Sequence, residues 1–264
     1  MPRPQHSRPP PHRGKAAAEP RSARVLLWGT HPVLAALANP IRQCQRLFAT
    51  REAAAALAAR LALLTGPAAL PPIEILPRPD LEQMLPSGAQ HQGIALQVAP
   101  LPSHAVEDIV ALAQGRNPAV VVVLDQVTDP HNVGAVLRSA AAFGALGVVM
   151  QDRNAPDETG TLAKAASGAL EKLPLARVTN LARALDELKA GGFWIAGLAG
   201  DAPRTLAEAG LSGRIALVLG SEGDGLRRLT RERCDHLVKL PQSDLVESLN
   251  VSNAAAVALY ELVR

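Results

Sequence analysis

The chain has 264 residues, 48% of them hydrophobic, and a formal net charge of +3. That length can bury a full core and divide into two domains. Because the only cysteines are Cys44 and Cys234, neither a disulfide framework nor a cysteine zinc site is expected, and a reducing, cytoplasmic compartment is favoured. No run of about 18 apolar residues occurs, so the sequence predicts no membrane-spanning segment.

Residues 1–23 are rich in proline and basic side chains, and we predict a disordered tail there. Through residue 24 this region holds a single acidic residue, Glu19. Two roles remain open for the tail: contact with RNA phosphates through counterion release, or simple solubilisation. The basic residues concerned are Arg3, Arg8, Arg13, Lys15, Arg21 and Arg24.

Residues 24–99 are predicted to form a small α/β domain, because short apolar runs alternate with helical patterns. A strand, turn and helix over 25–37 precede an apolar run at 47–50 and an alanine-rich helix from Glu52 to Leu64. A short strand near 73–76 and an apolar run at 91–98 complete the unit. Proline and glycine near 100–103 and 115–118 bracket a predicted linker over 100–117, before a second domain over 118–264.

Two continuous apolar runs, 119–124 and 215–219, are typical of strands buried on both faces of a parallel sheet. Each run ends in a polar loop, the position where α/β sheets place ligands. The first loop leads into a helix with Asn132 near its start and Arg138 further along. The second loop holds Gly220, Gly223 and Gly225, which suit close backbone approach to a ligand. An ordinary turn, or a solvated helix arginine, explains each feature taken alone.

A third polar segment, 247–253, opens an alanine-rich helix near the C-terminus. Serine and asparagine are strong N-cap residues, so capping alone is one interpretation. Capping needs one such side chain, however, and the segment contains Ser248, Asn250, Ser252 and Asn253. The surplus indicates side chains directed at a ligand.

Together, the three segments resemble the motifs of the SpoU (TrmH-like) branch of the SPOUT methyltransferases. They occur in the family's order as DPHNVGAVLRSAAAFG, LVLGSEGDGLRRLT and LVKLPQSDLVESLNVSNAAAVALYE. The resemblance implies methyl transfer from S-adenosylmethionine to an RNA ribose 2′-hydroxyl, an α/β domain with a parallel sheet and a C-terminal trefoil knot, and a homodimer without metal. Gln242 and Asp244 depart from the methionine and glycine that many members carry at these positions.

The front domain, through its Gly29–Val33 turn and HQGIA run, looks like the ribosomal-protein-like, RNA-binding substrate domain of the family's RlmB-type members. Those members act on a guanosine of 23S ribosomal RNA, so the resemblance favours ribosomal RNA as the partner. Two alternatives remain: a transfer-RNA ribose methyltransferase of the same family, and a non-catalytic RNA-binding or ribosome-assembly protein on the same scaffold.

The family's site residues map onto positions of this chain. The resemblance assigns the catalytic step to Arg138, and an arginine pKa above about 12 argues against its acting as a base. We expect Arg138 to hold a phosphate and stabilise the developing alkoxide, oriented by Asn132 and Glu222. Ser248 and Asn250 would complete the ribose environment, and the predicted cofactor contacts are made by the backbone of Gly220, Leu240 and Leu249.

Overall fold

The structure is a computed structural model that describes residues 24–62, 70–243, 245–246 and 248–264. The predicted tail, 1–23, and the unusual Asp244 lie outside the described residues. Within that described part of the chain, none of the helices is both long and apolar enough to cross a membrane.

The front part of the chain forms a four-stranded sheet in the order β1-β4-β2-β3. Strand β4 runs antiparallel to β1 and β2, whereas β3 is parallel to β2. The helix predicted over 52–64 begins at Arg51, where Thr50 caps it, and ends at Leu61. The elements are β1 (Val25–Trp28), α1 (Thr30–Ala38), β2 (Cys44–Ala49), α2 (Arg51–Leu61), β3 (Ile73–Ile75), α3 (Arg78–Gln83) and β4 (Ile94–Val98).

The second part is an α/β unit around a seven-stranded sheet, all parallel, in the order β7-β6-β5-β10-β8-β11-β9. Its strands are β5 (Ala119–Leu124), β6 (Val148–Gln151), β7 (Leu175–Val178), β8 (Trp194–Leu198), β9 (Arg204–Thr205), β10 (Arg214–Leu219) and β11 (His236–Lys239). Its helices are α4 (Val106–Leu112), α5 (Pro130–Ala142), α6 (Gly160–Ala166), α7 (Leu181–Ala190), α8 (Leu206–Ala209), α9 (Arg228–Arg233) and α10 (Val251–Val263). The α/β class with a parallel sheet is therefore as the sequence predicted.

The region predicted as a linker, 100–117, contains helix α4. Val106 and Ile109 lie one helical turn apart and are both buried against the core of the second unit. The flanking prolines and glycines suggested an extended connection, but the apolar spacing within 106–113 is helical. Helix α4, within the region predicted as a linker, thus packs on the core of the second unit.

Helices α5 and α6 pack against each other on one face of the large sheet, and Gly134 allows their close approach. An added Cβ at Gly134 would lie 2.5 Å from the Leu162 carbonyl oxygen and 2.6 Å from Ala165 Cβ. Backbone atoms cannot swing aside as a flexible side chain can. The contact therefore fixes α5, and every side chain on it, relative to α6.

Gly134→Ala should lower the free energy of unfolding by about 1–3 kcal/mol, because the methyl group overpacks this contact. The loss is expected even though alanine is the better helix former by about 1 kcal/mol. Urea denaturation would measure it, with Gly200→Ala as the control, since nothing lies within 4 Å of the Cβ built there. A Gly134→Ala protein as stable as the parent would contradict the packing described.

Candidate active site

Three side chains from the three predicted segments meet in one hydrogen-bonded cluster. Asn132 Nδ2 donates to Glu222 Oε1 at 3.0 Å, and Asn250 Nδ2 donates to the same oxygen at 2.7 Å. Asn250 Nδ2 also lies 2.9 Å from Asn132 Oδ1, and the backbone N–H of Val251 reaches Glu222 Oε1 at 3.3 Å. Residues 90 and 28 positions apart in sequence are thereby joined at a single carboxylate oxygen.

Asn132 is held by the start of helix α5. Pro130 occupies the first turn, where its missing N–H costs nothing, and the Asp129 carboxylate accepts from the His131 backbone N–H at 3.0 Å. Asp129 therefore caps the helix. Because Asn132 is not needed for capping, its amide is left to contact Glu222.

Asn250 caps helix α10 and also joins the hydrogen-bonded cluster. Its Oδ1 caps helix α10, accepting from the backbone N–H groups of Ser252 at 2.9 Å and Asn253 at 3.4 Å. Its Nδ2 group points the other way, to Glu222 and Asn132. An amide has separate donor and acceptor ends, so one residue can cap the helix and join the polar cluster.

The glycine loop presents Glu222 through a tight turn. Ser221 and Gly225 exchange two backbone hydrogen bonds of 3.1 Å, and both Gly223 and Gly225 have positive φ. Gly220, unlike Gly223 and Gly225, does not have a positive φ. It matters for another reason, because a Cβ there would lie 2.1 Å from the backbone carbon of Gly225. The absent side chain makes room for the loop itself, rather than directly for a ligand as the sequence suggested.

A cavity of about 820 Å³ opens beside the cluster. Gly220, Leu240 and Leu249, the three residues predicted to contact a cofactor, all line it. Ser248 and Glu222 line it as well, and charged side chains of both signs surround it: Asp201, Asp224, Arg231 and Lys239. A second cavity, of about 370 Å³, lies where the front unit meets the second, and none of the predicted site residues lines that one.

Arg138 is the predicted site residue that the chain does not bring into the cluster. It follows Asn132 by six residues on α5, which turns its side chain by about 240° around the helix axis. Arg138 is exposed, and within the described residues it forms neither a hydrogen bond nor an ion pair. Within one chain, Asn132 and Glu222 therefore contact each other and Asn250 rather than Arg138.

Sequence reasoning missed an ion pair near the site in which the carboxylate is buried and the arginine is partly exposed. Asp125, fully buried at the end of β5, accepts from Arg227 Nε at 2.6 Å and from the Arg227 backbone N–H at 3.0 Å. The pair ties the end of β5 to the chain that follows the glycine loop. The available signal was a carboxylate placed directly after an apolar strand, a position that is costly unless a partner is supplied.

Two other kinds of site, a reactive thiol at Cys234 and a metal centre, have no support in the described residues. Burial raises the pKa of the Cys234 thiol to about 11, with a further contribution from the nearby Asp235 carboxylate, so this thiol is protonated at neutral pH. Within the described ranges, no three histidine, cysteine or acidic side chains are grouped so that they could hold a metal ion.

Comparison with known proteins agrees with the two-part architecture. The SpoU rRNA Methylase family model matches residues 119–260, and a model for RNA 2′-O ribose methyltransferase substrate binding matches residues 26–104. The chain is 42% identical over 257 residues to an uncharacterized tRNA/rRNA methyltransferase of Synechocystis, covering 97% of this chain and 66% of that protein.

A 23S rRNA (guanosine-2′-O-)-methyltransferase, RlmB, of Vibrio vulnificus is 49% identical over 181 residues, 67% of this chain and 72% of that protein. The fold is similar to that of the SpoU methyltransferase AviRb from Streptomyces viridochromogenes, whose crystal structure was solved with its cofactor AdoMet. The TM-score is 0.77 at 24% identity, over 92% of this chain and 90% of the other. These matches confirm the resemblance found in the motifs: the chain belongs to the SpoU rRNA methylase family.

Proposed function

We propose that this protein transfers a methyl group from S-adenosylmethionine to the ribose 2′-hydroxyl of a guanosine in 23S ribosomal RNA. The observation that carries the proposal is the Asn132–Glu222–Asn250 cluster, which three separated segments build at the mouth of a ligand-sized cavity. Similarity to RlmB and the substrate-binding match over 26–104 support ribosomal RNA over transfer RNA. A cytoplasmic location belongs to the same proposal, since the proposed substrate is ribosomal RNA.

The cavity suits S-adenosylmethionine in size and charge. A nucleoside joined to an amino acid carries a sulfonium, an ammonium and a carboxylate, and the cavity offers both carboxylates and cations to them. When bound, this cofactor supplies a methyl carbon that is already electrophilic. The backbone at Gly220, Leu240 and Leu249 would contact the adenine of the cofactor. Glu222 and Ser248 would lie toward the cofactor's ribose and its methyl group.

The protein's own contribution is to orient the 2′-oxygen and to stabilise negative charge as it develops there. An arginine remains protonated at neutral pH, so Arg138 fits the role of holding a neighbouring phosphate and the nascent alkoxide. The hydrogen bonds to Glu222 within the described chain all go to Oε1. Its Oε2 is thus available to a guanidinium, although Arg138 of the same chain does not reach it.

We infer that a second subunit supplies that guanidinium. Helices α5 and α10 pack together, and the outer side of α10 exposes Val257, Tyr260 and Val263, with 49%, 56% and 40% of each residue accessible. Phe143, at the end of α5, makes an edge-on ring contact with Tyr260 and extends this apolar surface. Pairing of two copies across α5 and α10 would bury it and carry Arg138 to the partner's cluster.

A trefoil knot is part of the same proposal. Strand β11 lies beyond β8 in the sheet, yet α10 returns to pack on α5, on the other side of β10. Leu240 and Leu249, on either side of this return, both line the cavity beside the glycine loop, as they would in a threaded chain. This course, together with the family resemblance, supports the knotted topology.

Gly220→Ala should weaken S-adenosylmethionine binding about tenfold or more, because the loop must open to accept a Cβ so close to Gly225. Isothermal titration calorimetry would measure the Kd. Gly200→Ala is the matched control, since Gly200 lines the same cavity with open space around it. An unchanged Kd for Gly220→Ala would contradict the proposal that the cofactor binds in this cavity.

Arg138→Ala should lower methyl transfer to 23S ribosomal RNA by about 10²-fold or more, since a donor to the developing charge is lost. Ribose methylation would be mapped in RNA from cells lacking the gene and complemented with parent or variant. The control is Arg183→Ala, which removes an exposed helix arginine whose side chain pairs with Glu187. Normal methylation by Arg138→Ala would refute the mechanism, and a map that does not change with the gene would refute the function.

Tyr260→Glu should convert the dimer to a monomer and abolish methyl transfer, because a carboxylate would be buried at the proposed interface. Sedimentation velocity would give the oligomeric state. Leu112→Glu provides the control, since Leu112 is a similarly exposed apolar residue on α4, against the opposite face of the sheet. An active, monomeric Tyr260→Glu protein would show that one chain is sufficient.

A further inference from the structure

A buried ion cluster joins the front unit to the second unit. Arg42, between α1 and β2, contacts Glu171 through Nε at 3.0 Å and a terminal nitrogen at 2.5 Å, and it contacts Glu158 at 2.5 Å. The Arg42 side chain is fully buried, and those of Glu158 and Glu171 are 12% and 3% accessible. The acidic residues lie 116 and 129 positions away in sequence, on either side of helix α6.

The three charged side chains of this ion cluster also form hydrogen bonds with neighbouring groups. Arg42 also donates to the Ala99 carbonyl at 2.9 Å, and Asn39 Nδ2 donates to Glu171 Oε2 at 2.9 Å. The second oxygen of Glu158 accepts from the Leu101 backbone N–H at 2.9 Å. Burial opposes the charged form of Arg42, but its bonds to Glu171 and Glu158 outweigh that and raise its pKa. The guanidinium is therefore a permanent cation between two carboxylates.

A second set of contacts fixes the same junction on the other side of α6. Gln92 Oε1 accepts from the Thr30 backbone N–H at 2.9 Å and from Lys164 Nζ, on α6, at 3.2 Å. Gly160, the first residue of α6, packs so closely that an added Cβ would lie within 1.9 Å of the Trp28 ring. The front unit therefore contacts α6 through its first strand and through the turn before its last strand.

Helix α6 connects this junction to the candidate active site. It packs tightly on α5 at Gly134, and α5 carries both Asn132 and Arg138. The front unit is thus held through α6 to the helix that presents Arg138, and not through the loops that line the cofactor cavity. In the proposed dimer, that Arg138 serves the cavity of the partner.

We infer that Arg42 is a positioning residue that holds the RNA-binding front unit over α5 of its own chain, so that each chain delivers RNA to its own Arg138 and to its partner's methyl donor. This inference rests on the proposed function and on the shared site. A front unit that is held rigidly loses little orientational freedom when it presents RNA to the site. A front unit attached only by residues 99–105 would lose more orientational freedom on binding.

The direct test uses the full-length double variant Arg42→Met/Glu171→Gln, which removes the cation without leaving Glu171 as an unpaired buried carboxylate. The KM for ribosomal RNA should rise about tenfold while kcat changes less than about twofold, and the Kd for S-adenosylmethionine should stay at the parent value. Arg42→Lys keeps the charge but not the forked geometry of the guanidinium. Its KM for ribosomal RNA should lie between those of the parent and the double variant. Arg183→Ala is again the control.

A purely structural role for Arg42 would lower stability and move cofactor binding and RNA binding together, which would overturn the inference. An unchanged KM for RNA in the double variant would overturn it too. A lower kcat with an unchanged KM would place Arg42 in the chemical step and would contradict the inference. The proposed function would still stand in that case. The proposed function fails separately, if the parent protein itself does not methylate the RNA.

Mixed dimers test which chain delivers the RNA. One chain carries Gly220→Val and keeps Arg138; the other carries Arg138→Ala and keeps its cavity, so only one complete site forms. Adding Arg42→Met/Glu171→Gln to the first chain should raise the KM for RNA about tenfold, and adding it to the second should not change the KM. The opposite pattern, or equal effects in both chains, would overturn delivery to the chain's own Arg138. A mixed dimer without activity would contradict the shared site, and with it this assignment.

Discussion

One carboxylate oxygen, Glu222 Oε1, is the point on which the candidate site depends. It accepts hydrogen bonds from two asparagine amides and one backbone N–H, delivered by the start of α5 and the start of α10. Charge-assisted hydrogen bonds of this kind are stronger and shorter than neutral ones. They hold the glycine loop, the helix after β5 and the C-terminal helix in one arrangement, and leave the other oxygen of Glu222 without a hydrogen bond from the described residues.

The parallel sheet explains why three distant segments can meet there. β5 and β10 are neighbours in register, so the loops after Leu124 and Leu219 leave the same edge of the sheet side by side. The Asp125–Arg227 pair then ties those two loops near the cluster. The same sheet places α5 and α6 on one face, and α6 in turn receives the front unit. RNA-binding surface and chemistry are therefore linked through packed helices rather than through a flexible connection.

Much of this arrangement was predictable from sequence, because local patterns carry it. The all-apolar runs marked β5 and β10, and the polar segments after them supplied Asn132 and Glu222. The polar segment before the last helix supplied Asn250. What could not be predicted depends on distance through space. Arg42 finds its carboxylates more than a hundred residues away, with no local pattern to mark them. Arg138 was predicted to lie on the helix that also carries Asn132, but its direction around that helix, away from the Asn132–Glu222 contact, requires coordinates.

A crystal structure of the protein with S-adenosylhomocysteine bound would test the central claim most directly. The account predicts that the nucleoside lies in the cavity bordered by Gly220, Leu240 and Leu249, and that the partner subunit's Arg138 contacts Glu222 Oε2. Ligand found instead in the cavity between the two units, or an Arg138 remote from Glu222 in every copy, would contradict it.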